Sequence, residues 1–313
     1  MLKKFSLLKK ALQKLTEIRT VEQLLAEDYK KNKITSFLHL SIGQEAAAVG
    51  TALALKKKDL VFGNHRSHGH YLAKGGNLKK MIYEIYGDKR GCSGGYGGSM
   101  HMLDRSCGFV GSTPILGSVA PLISGISGSI MLNNKKNIAL GYLGDGAAEE
   151  GAFYESINLA CLHKLPVIFV IEDNNYSVGI HSAHRKSPFY NHKNIFGSGI
   201  GAIYSKVDGQ DFLEVFNATK LLRKRVLMEK RPAVIHAKVL RRFVHSGPYS
   251  DLDTKERNEK LTDNLKKDPI QNLKKYFIKT GVSVNFINKV ISKKNDEVKK
   301  IFFDTIKKIK KND

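Results

Sequence analysis

Two short polar turns contain the residues whose types and spacing best suit chemistry. Asp145 lies in a Gly-Asp-Gly turn after the apolar residues 138–143, and Asn174 and Asn175 lie in a turn after the apolar residues 167–172. Carboxylate and amide oxygens are hard ligands that suit Mg²⁺, which completes its coordination with phosphate and water. Either turn alone is a common structural feature. Two such turns, each directly after an apolar strand, indicate a metal–diphosphate site.

The Gly-Asp-Gly turn also suits a phosphate group. Gly144 and Gly146 let the backbone approach a ligand closely, and a helix is expected to begin near Ala147. The first turn of a helix presents free N–H groups and the positive end of the helix dipole, both of which attract phosphate. We therefore expect the diphosphate to lie at this turn.

Alternating strands and helices are needed to place these turns. The apolar residues 138–143, 167–172 and 233–240 read as buried strands, and a helix is expected to run from the Gly-Asp-Gly turn to about residue 163. This alternation predicts an α/β fold with a doubly wound parallel sheet flanked by helices. Ligands of such sheets bind at the carboxyl ends of the strands, where strand order reverses, so the two turns should lie side by side.

Hydrophobic periodicity and charge divide the chain into three parts. Residues 1–35 should form an N-terminal helical arm, residues 36–249 the α/β domain with a site loop at 241–249, and residues 250–313 a basic helical extension. Lysines interrupt the apolar N-terminal run and no small-residue cleavage site follows, which argues against a signal peptide.

The charge is strongly positive. Lys and Arg number 52 against 29 Asp and Glu, for a formal net charge of +23. Such a field attracts anions, but the sequence shows no recognisable nucleic-acid-binding module, so a nucleic-acid partner is disfavoured.

An uncharged stretch raises the question of a membrane span, and the three cysteines bear on the cellular compartment of the protein. The residues between Arg105 and Lys135 carry no charge, but their prolines, glycines and serines argue against a membrane span. Three cysteines without a closely spaced pair argue against a disulfide framework and a structural zinc site, and they fit a cytoplasmic protein.

Residues 144–180, from GDGAAEEG to DNNYSVGI, resemble the thiamine diphosphate signature of the alpha subunits of pyruvate, acetoin and branched-chain 2-oxo acid dehydrogenases. Five further segments agree in order, so the resemblance covers most of residues 36–255. It implies the thiamine diphosphate-binding fold, with thiamine diphosphate and Mg²⁺ as cofactors. The five segments are GQEAAAVG, HRSHGHYLAKG, GGSMHM, PILGSVAP and VDGQD.

The resemblance also implies roles for individual residues. Leu116 and Gly117 should line the aminopyrimidine ring, and the two residues with catalytic roles should be His68 and His245. The family usually has a tyrosine where this chain has His65, just before the arginine that binds the diphosphate. The implied Mg²⁺ ligands are Asp145, Asn175 and the backbone carbonyl of Ser177. The implied cofactor-binding residues are His65, Arg66, Leu116, Gly117, Gly144, Asp145, Gly146, Ala147, Asn175, Arg241 and His245.

Ser246 aligns with a serine that is phosphorylated in some family members, and an unmodified serine is the default expectation here. The implied reaction is the oxidative decarboxylation of a pyruvate-like 2-oxo acid, with acyl transfer to the lipoyl domain of an acyltransferase component. The glutamate that activates the cofactor lies on the beta subunit in two-subunit members. This chain has no second α/β domain to hold one, so we expect a beta partner in an α₂β₂ heterotetramer. Glu45 is an exception, because the sequence alone does not fix its position.

Two alternatives remain open at this point. A half-subunit of a non-oxidative decarboxylase or ketol transferase would use the same cofactor without a lipoyl domain. A basic nucleic-acid-binding protein is a remote alternative, since only the charge supports it.

Overall fold

A six-stranded parallel sheet forms the centre of the structure, a computed structural model that describes residues 2–249 and 267–309. Its strands are largely buried on both faces, as an all-parallel sheet covered by helices requires. A separate antiparallel hairpin, β5 (Tyr176–Ser177) and β6 (Ile180–His181), follows the fourth strand. The sheet strands are β1 (Leu60–Gly63), β2 (Phe109–Ser112), β3 (Ala139–Gly144), β4 (Val167–Asp173), β7 (Ile203–Asp208) and β8 (Ala233–Lys238).

The strand order is β2-β1-β3-β4-β8-β7, and every neighbouring pair is parallel. The order reverses between β1 and β3, because the chain adds β2 on one side of β1 and then places β3 and β4 on the other side. The predicted doubly wound α/β fold is confirmed. A crevice therefore lies beyond the carboxyl ends of β1 and β3, with the end of β4 next to it.

Helices cover both faces of the sheet and form a hydrophobic core on each. Ile168 and Val170 of β4 belong to one core, and the alternate residues Val167, Phe169 and Ile171 belong to the other. Helices α5 and α6 cover the second face, and the remaining helices pack on the first. The helices are α1 (Leu2–Lys30), α2 (Glu45–Ala54), α3 (His68–Lys74), α4 (Leu78–Ile85), α5 (Val119–Leu132), α6 (Gly151–Leu162), α7 (Phe212–Glu229), α8 (Pro269–Lys279) and α9 (Val284–Ile309).

The terminal helices pack against each other. The Arg19 guanidinium of α1 donates to Asp268 at 2.9 Å, and Thr20 donates to Asn295 of α9 at 2.6 Å. The division into an arm, a domain and an extension stays a prediction, and residues 250–266 lie outside the described part. Over the described ranges, no helix combines the length and the apolar character that crossing a membrane requires.

Candidate functional site

A pocket lies at the carboxyl ends of β1, β3 and β4, where the strand order reverses. Its volume is about 100 Å³, below the roughly 300–1,000 Å³ of typical small-molecule sites. A ligand the size of a dinucleotide or a thiamine cofactor would therefore reach beyond it. Most of the predicted site residues line this pocket: His65, Arg66, Leu116, Gly144, Asp145, Gly146, Ala147, Ser177, Arg241 and His245.

The Asp145 carboxylate lies in the turn directly after β3 and is only 1% exposed. Burial, together with the nearby Asp173 carboxylate, raises the pKa of Asp145, and the Arg185 guanidinium opposes this shift. Arg185 donates to Asp145 at 2.5 Å and also contacts Glu149. A buried carboxylate that already holds a cation at short range has the chemistry of a metal ligand.

The second polar turn presents Asn174 to the pocket, and the structure does not bring the predicted Asn175 there. Asn175 adopts a left-handed backbone conformation (φ 67°), and its side-chain oxygen accepts a hydrogen bond from Lys238 of β8 at 2.6 Å. The side-chain oxygen of Asn174 accepts from the Tyr176 N–H at 3.1 Å. Both Tyr176 and Ser177 line the pocket, so this turn contributes Asn174 and not Asn175 to the pocket that Asp145 lines.

The Asp173 carboxylate stabilises the Asn174–Asn175 turn. Although burial opposes the shift, hydrogen bonds from His236 at 2.7 Å and Lys238 at 2.8 Å hold the pKa of Asp173 well below its usual range. Asp173 also accepts from the Asn175 N–H at 2.9 Å. The charged carboxylate therefore fixes the backbone from which Asn174 projects.

Glu172 is a pocket residue that the sequence analysis missed. It is the second-to-last residue of β4, opposite Gly144, and His70 contacts both of its carboxylate oxygens at 3.0 and 3.1 Å. The His70 ring is stacked on Tyr142 with centroids 3.6 Å apart. The sequence signal for Glu172 was an acidic residue that follows an apolar strand segment and lies just before the predicted Asn174–Asn175 turn.

The two glycines of the Gly-Asp-Gly turn have different surroundings. A Cβ built on Gly144 would meet no atom within 4 Å, whereas one on Gly146 would lie 2.6 Å from the Ser177 hydroxyl oxygen. Gly144 therefore leaves space for a ligand, and Gly146 allows the two turns to approach. Residues Ala147–Glu149 form a short 3₁₀ turn, and the helix itself begins at Gly151, later than predicted.

Two buried arginines make the pocket positive. Arg66 donates to the carbonyl oxygens of Leu40 at 2.6 Å and His245 at 3.1 Å, and Arg241 donates to that of Val178 at 3.0 Å. Both arginines line the pocket. Guanidinium groups bind phosphate through charge-assisted hydrogen bonds, so this pair suits a diphosphate.

Three histidines form a cluster, and two of them, His65 and His245, line the pocket. The ring centroids of His39 and His65 are 4.5 Å apart, and that of His245 is 5.1 Å from each. Burial, followed by the nearby Arg66 charge, lowers the pKa of His39 to about 3 and that of His65 further. Both rings are therefore neutral at neutral pH. Sequence analysis missed His39, which precedes the Gly-Gln-Glu segment.

Besides Asn175, two further predicted residues lie outside the pocket. His68 is buried at the start of α3, where its ring contacts Glu22 at 3.1 Å and Ser99 at 2.8 Å. Gly117 follows the pocket residue Leu116, and the Glu150 carboxylate lies against its backbone. His68 therefore contacts the core of the first face, and the structure does not bring it to the predicted catalytic position.

The folded protein should lose stability as the pH falls from about 6.5 toward 3, in part because of His39. Its folded pKa lies below the ordinary value, so in this range the unfolded chain binds a proton that the folded chain does not. Urea titrations at pH 7.5 and 4.5 measure the free energy of unfolding at each pH. Between these two pH values, the His39→Asn variant should lose roughly 1–3 kcal/mol less of this free energy than the wild type. An equal loss in both proteins would contradict the pKa of His39.

The chain matches the family described as "Dehydrogenase E1 component" over residues 13–313. It is 38% identical over 267 residues to the pyruvate dehydrogenase E1 component subunit alpha of Zymomonas mobilis, which covers 85% of this chain and 74% of the relative. It is also similar to acetoin:2,6-dichlorophenolindophenol oxidoreductase subunits alpha. For the Cupriavidus necator protein the identity is 38%, covering 74% of this chain and 69% of the relative. For the Bacillus subtilis protein the identity is 33%, and the match covers 85% of this chain and 79% of the relative.

Proposed function

Since this chain belongs to the dehydrogenase E1 component family, as an alpha subunit of a thiamine diphosphate-dependent 2-oxo acid dehydrogenase, we propose that its pocket binds the diphosphate end of that cofactor through Mg²⁺. The reaction is the oxidative decarboxylation of a pyruvate-like 2-oxo acid, with acyl transfer to a lipoyl domain. The observation that supports this most is the convergence of Asp145, Asn174 and two buried arginines on one pocket.

The proposed Mg²⁺ ligands are Asp145, Asn174 and the backbone carbonyl of Tyr176. This set differs from the ligands implied by the sequence, because Asn175 is turned toward Lys238. The same one-residue shift favours the carbonyl of Tyr176 over that of Ser177. Carboxylate, amide and carbonyl oxygens together form a hard ligand set that suits Mg²⁺.

The diphosphate would lie over the Gly-Asp-Gly turn. Arg66 and Arg241 supply positive charge, and Gly146 and Ala147, whose backbone N–H groups would bind phosphate, line the same pocket. The open space beside Gly144 leaves room for phosphate oxygens. Leu116 lies at the side where the remainder of the cofactor would extend.

When bound, thiamine diphosphate supplies the nucleophilic carbon and the electron sink for decarboxylation. The residues of this chain bind and orient the cofactor and exclude water from the pocket. His245, which lines the pocket and has the His39 ring against it, would hold or pass a proton there. We assign His68 a positioning role, because it holds Glu22 and Ser99 together in the core.

A beta subunit is proposed to complete the site. The carboxylates that line the pocket in the described ranges are Asp145 and Glu172, and Glu172 is held by His70. Glu45 is fully buried, contacts Arg19 and accepts from the Gly43 N–H at 2.9 Å. The small pocket volume also fits a cofactor shared between two chains. We propose an α₂β₂ heterotetramer in the cytoplasm.

Exposed apolar side chains lie beyond the pocket on the face covered by α5 and α6. A contact with the beta subunit would bury them, since several large apolar side chains exposed on one face are typical of protein interfaces. The residues are Ile115, Leu122, Leu132, Leu159 and Leu162.

Asn174→Ala should weaken Mg²⁺-dependent thiamine diphosphate binding by at least about tenfold, because the metal loses a direct ligand. Asn175→Gly is the matched control, since glycine tolerates the left-handed backbone at this position. Its affinity should stay within about threefold of the wild type, less than 1 kcal/mol. Calorimetry on both variants measures the difference. A larger loss at Asn175 than at Asn174 would restore the original ligand assignment.

A further inference from the structure

We propose that His39, His65 and His245 form a second cation site, which binds a divalent transition metal such as Zn²⁺ or Co²⁺ and does not use the Mg²⁺ ligands. We further propose that this metal and the diphosphate exclude each other. The exclusion rests on the proposed function, whereas the metal binding stands on the histidine cluster alone.

The three rings are close enough to share one ion. One ligand atom from each histidine can be chosen so that all three lie within 4.8 Å of one another. Zn–N bonds of about 2.0–2.1 Å in tetrahedral geometry place ligand nitrogens about 3.4 Å apart, so each pair would close by at most about 1.5 Å. Small rotations of the rings can provide this, because the histidines come from three separate segments: before α2, after β1 and after β8.

The ring nitrogens of His39 and His65 indicate a ligand that is not part of the described protein. Within residues 2–249 and 267–309, neither ring nitrogen of His65 has a hydrogen-bond partner, and Nδ1 of His39 has none either. These two side chains are buried, with exposed fractions of 8% for His65 and 7% for His39. Buried polar atoms normally have a partner. Neutral imidazole is the form that binds metal, and burial keeps both rings neutral.

The chemical type of the ligands decides which cation fits. Imidazole nitrogen suits Zn²⁺, Co²⁺, Ni²⁺ and Cu²⁺, whereas Mg²⁺ prefers oxygen. Three protein ligands leave a fourth position for water or an anion, as in open zinc sites. The Arg66 guanidinium nearby opposes a cation electrostatically, so we expect weaker binding than at a closed structural zinc site.

Occupation of this site would block the pocket. His65 and His245 line the same small pocket as Asp145 and Arg241. A pocket of about 100 Å³ has no room for both a diphosphate over the Gly-Asp-Gly turn and a hydrated ion held by the histidines. Zinc would therefore act as an inhibitor that competes with the cofactor and not with Mg²⁺ alone.

The test is a Co²⁺ titration of the purified 313-residue chain, followed by visible absorption and by calorimetry, with Zn²⁺ added to displace the Co²⁺. We expect one ion per chain. His65→Tyr should weaken Co²⁺ binding by at least about 100-fold, because even indirect partners of a metal contribute 10–100-fold. His39→Asn, as a second variant, should do the same, with thermal melting to show that each variant is folded. His163→Ala removes an exposed histidine outside the cluster and should bind as the wild type does.

Absence of Co²⁺ binding, or unchanged binding in folded His65→Tyr and His39→Asn, would overturn the metal site. A second titration in the presence of thiamine diphosphate and Mg²⁺ tests the exclusion, since the apparent Co²⁺ affinity should fall as the cofactor concentration rises. Unchanged Co²⁺ affinity with the cofactor bound would overturn the exclusion only. A chain that binds Co²⁺ but never thiamine diphosphate would overturn the proposed function and leave the metal site standing.

Discussion

Replacing Asp145 with alanine should abolish Mg²⁺-dependent thiamine diphosphate binding while the chain stays folded. Asp145 is the buried carboxylate of the pocket that is not held by a histidine, and in the proposed site it neutralises the metal directly. Loss of a charged ligand should weaken cofactor affinity by at least about 100-fold, more than the loss of the neutral Asn174 amide. Calorimetric titration of the purified protein with thiamine diphosphate, with and without Mg²⁺, measures this.

The fold should tolerate the change because Arg185 keeps a second partner, Glu149, when Asp145 is removed. Glu149→Gln is the matched control: it lies in the same turn and contacts the same arginine, but it does not line the pocket. This control should keep its cofactor affinity, and both variants should melt within a few degrees of the wild type. Cofactor binding by Asp145→Ala as tight as that of the wild type would contradict the assignment of Asp145 as a Mg²⁺ ligand.

The chain by itself should show less than about 1% of the decarboxylation activity of its complex with a beta subunit, since general acid–base groups contribute about 10²–10⁴-fold. The reason lies in the carboxylates of the described residues. Asp145 is assigned to the metal, Glu172 is held by His70, and Glu45 is enclosed with Arg19. Glu150 is the additional carboxylate to consider, because it lies against Gly117 beside the pocket.

The measurement is 2-oxo acid decarboxylation with an artificial electron acceptor, using the purified chain alone and the co-expressed complex. Acetoin should be assayed beside pyruvate by reduction of the same electron acceptor, without a decarboxylation readout, because relatives are named for each substrate. Glu45→Gln and Glu150→Gln are then made in the complex, and both should retain activity. Full turnover by the chain alone would show that the activating carboxylate is present, and the variant that abolishes turnover would identify it.

The sequence by itself determined the fold class and the placement of the two polar turns of the candidate site on neighbouring strands. The apolar runs at residues 138–143 and 167–172 are confirmed as the adjacent strands β3 and β4, which pair in parallel with Gly144 opposite Glu172. Continuous apolar runs and glycine-rich turns are local signals, so they can be recognised without knowing the neighbours. The short strands β1 and β2 and the edge strand β7 were missed, because four-residue runs and an edge strand with exposed polar residues give a weak pattern.

Tertiary structure alone decided which side chains face the pocket. Asn174 and Asn175 are equivalent by type and spacing, and Lys238, on a strand 63 residues away, draws Asn175 out of the site. His68 and His39 were likewise indistinguishable from loop histidines in sequence. Glu22 and Ser99 hold His68 in the core, while His39 meets His65 at the pocket. Side-chain direction at the end of a strand depends on partners that are distant along the chain, and folding alone brings those partners together.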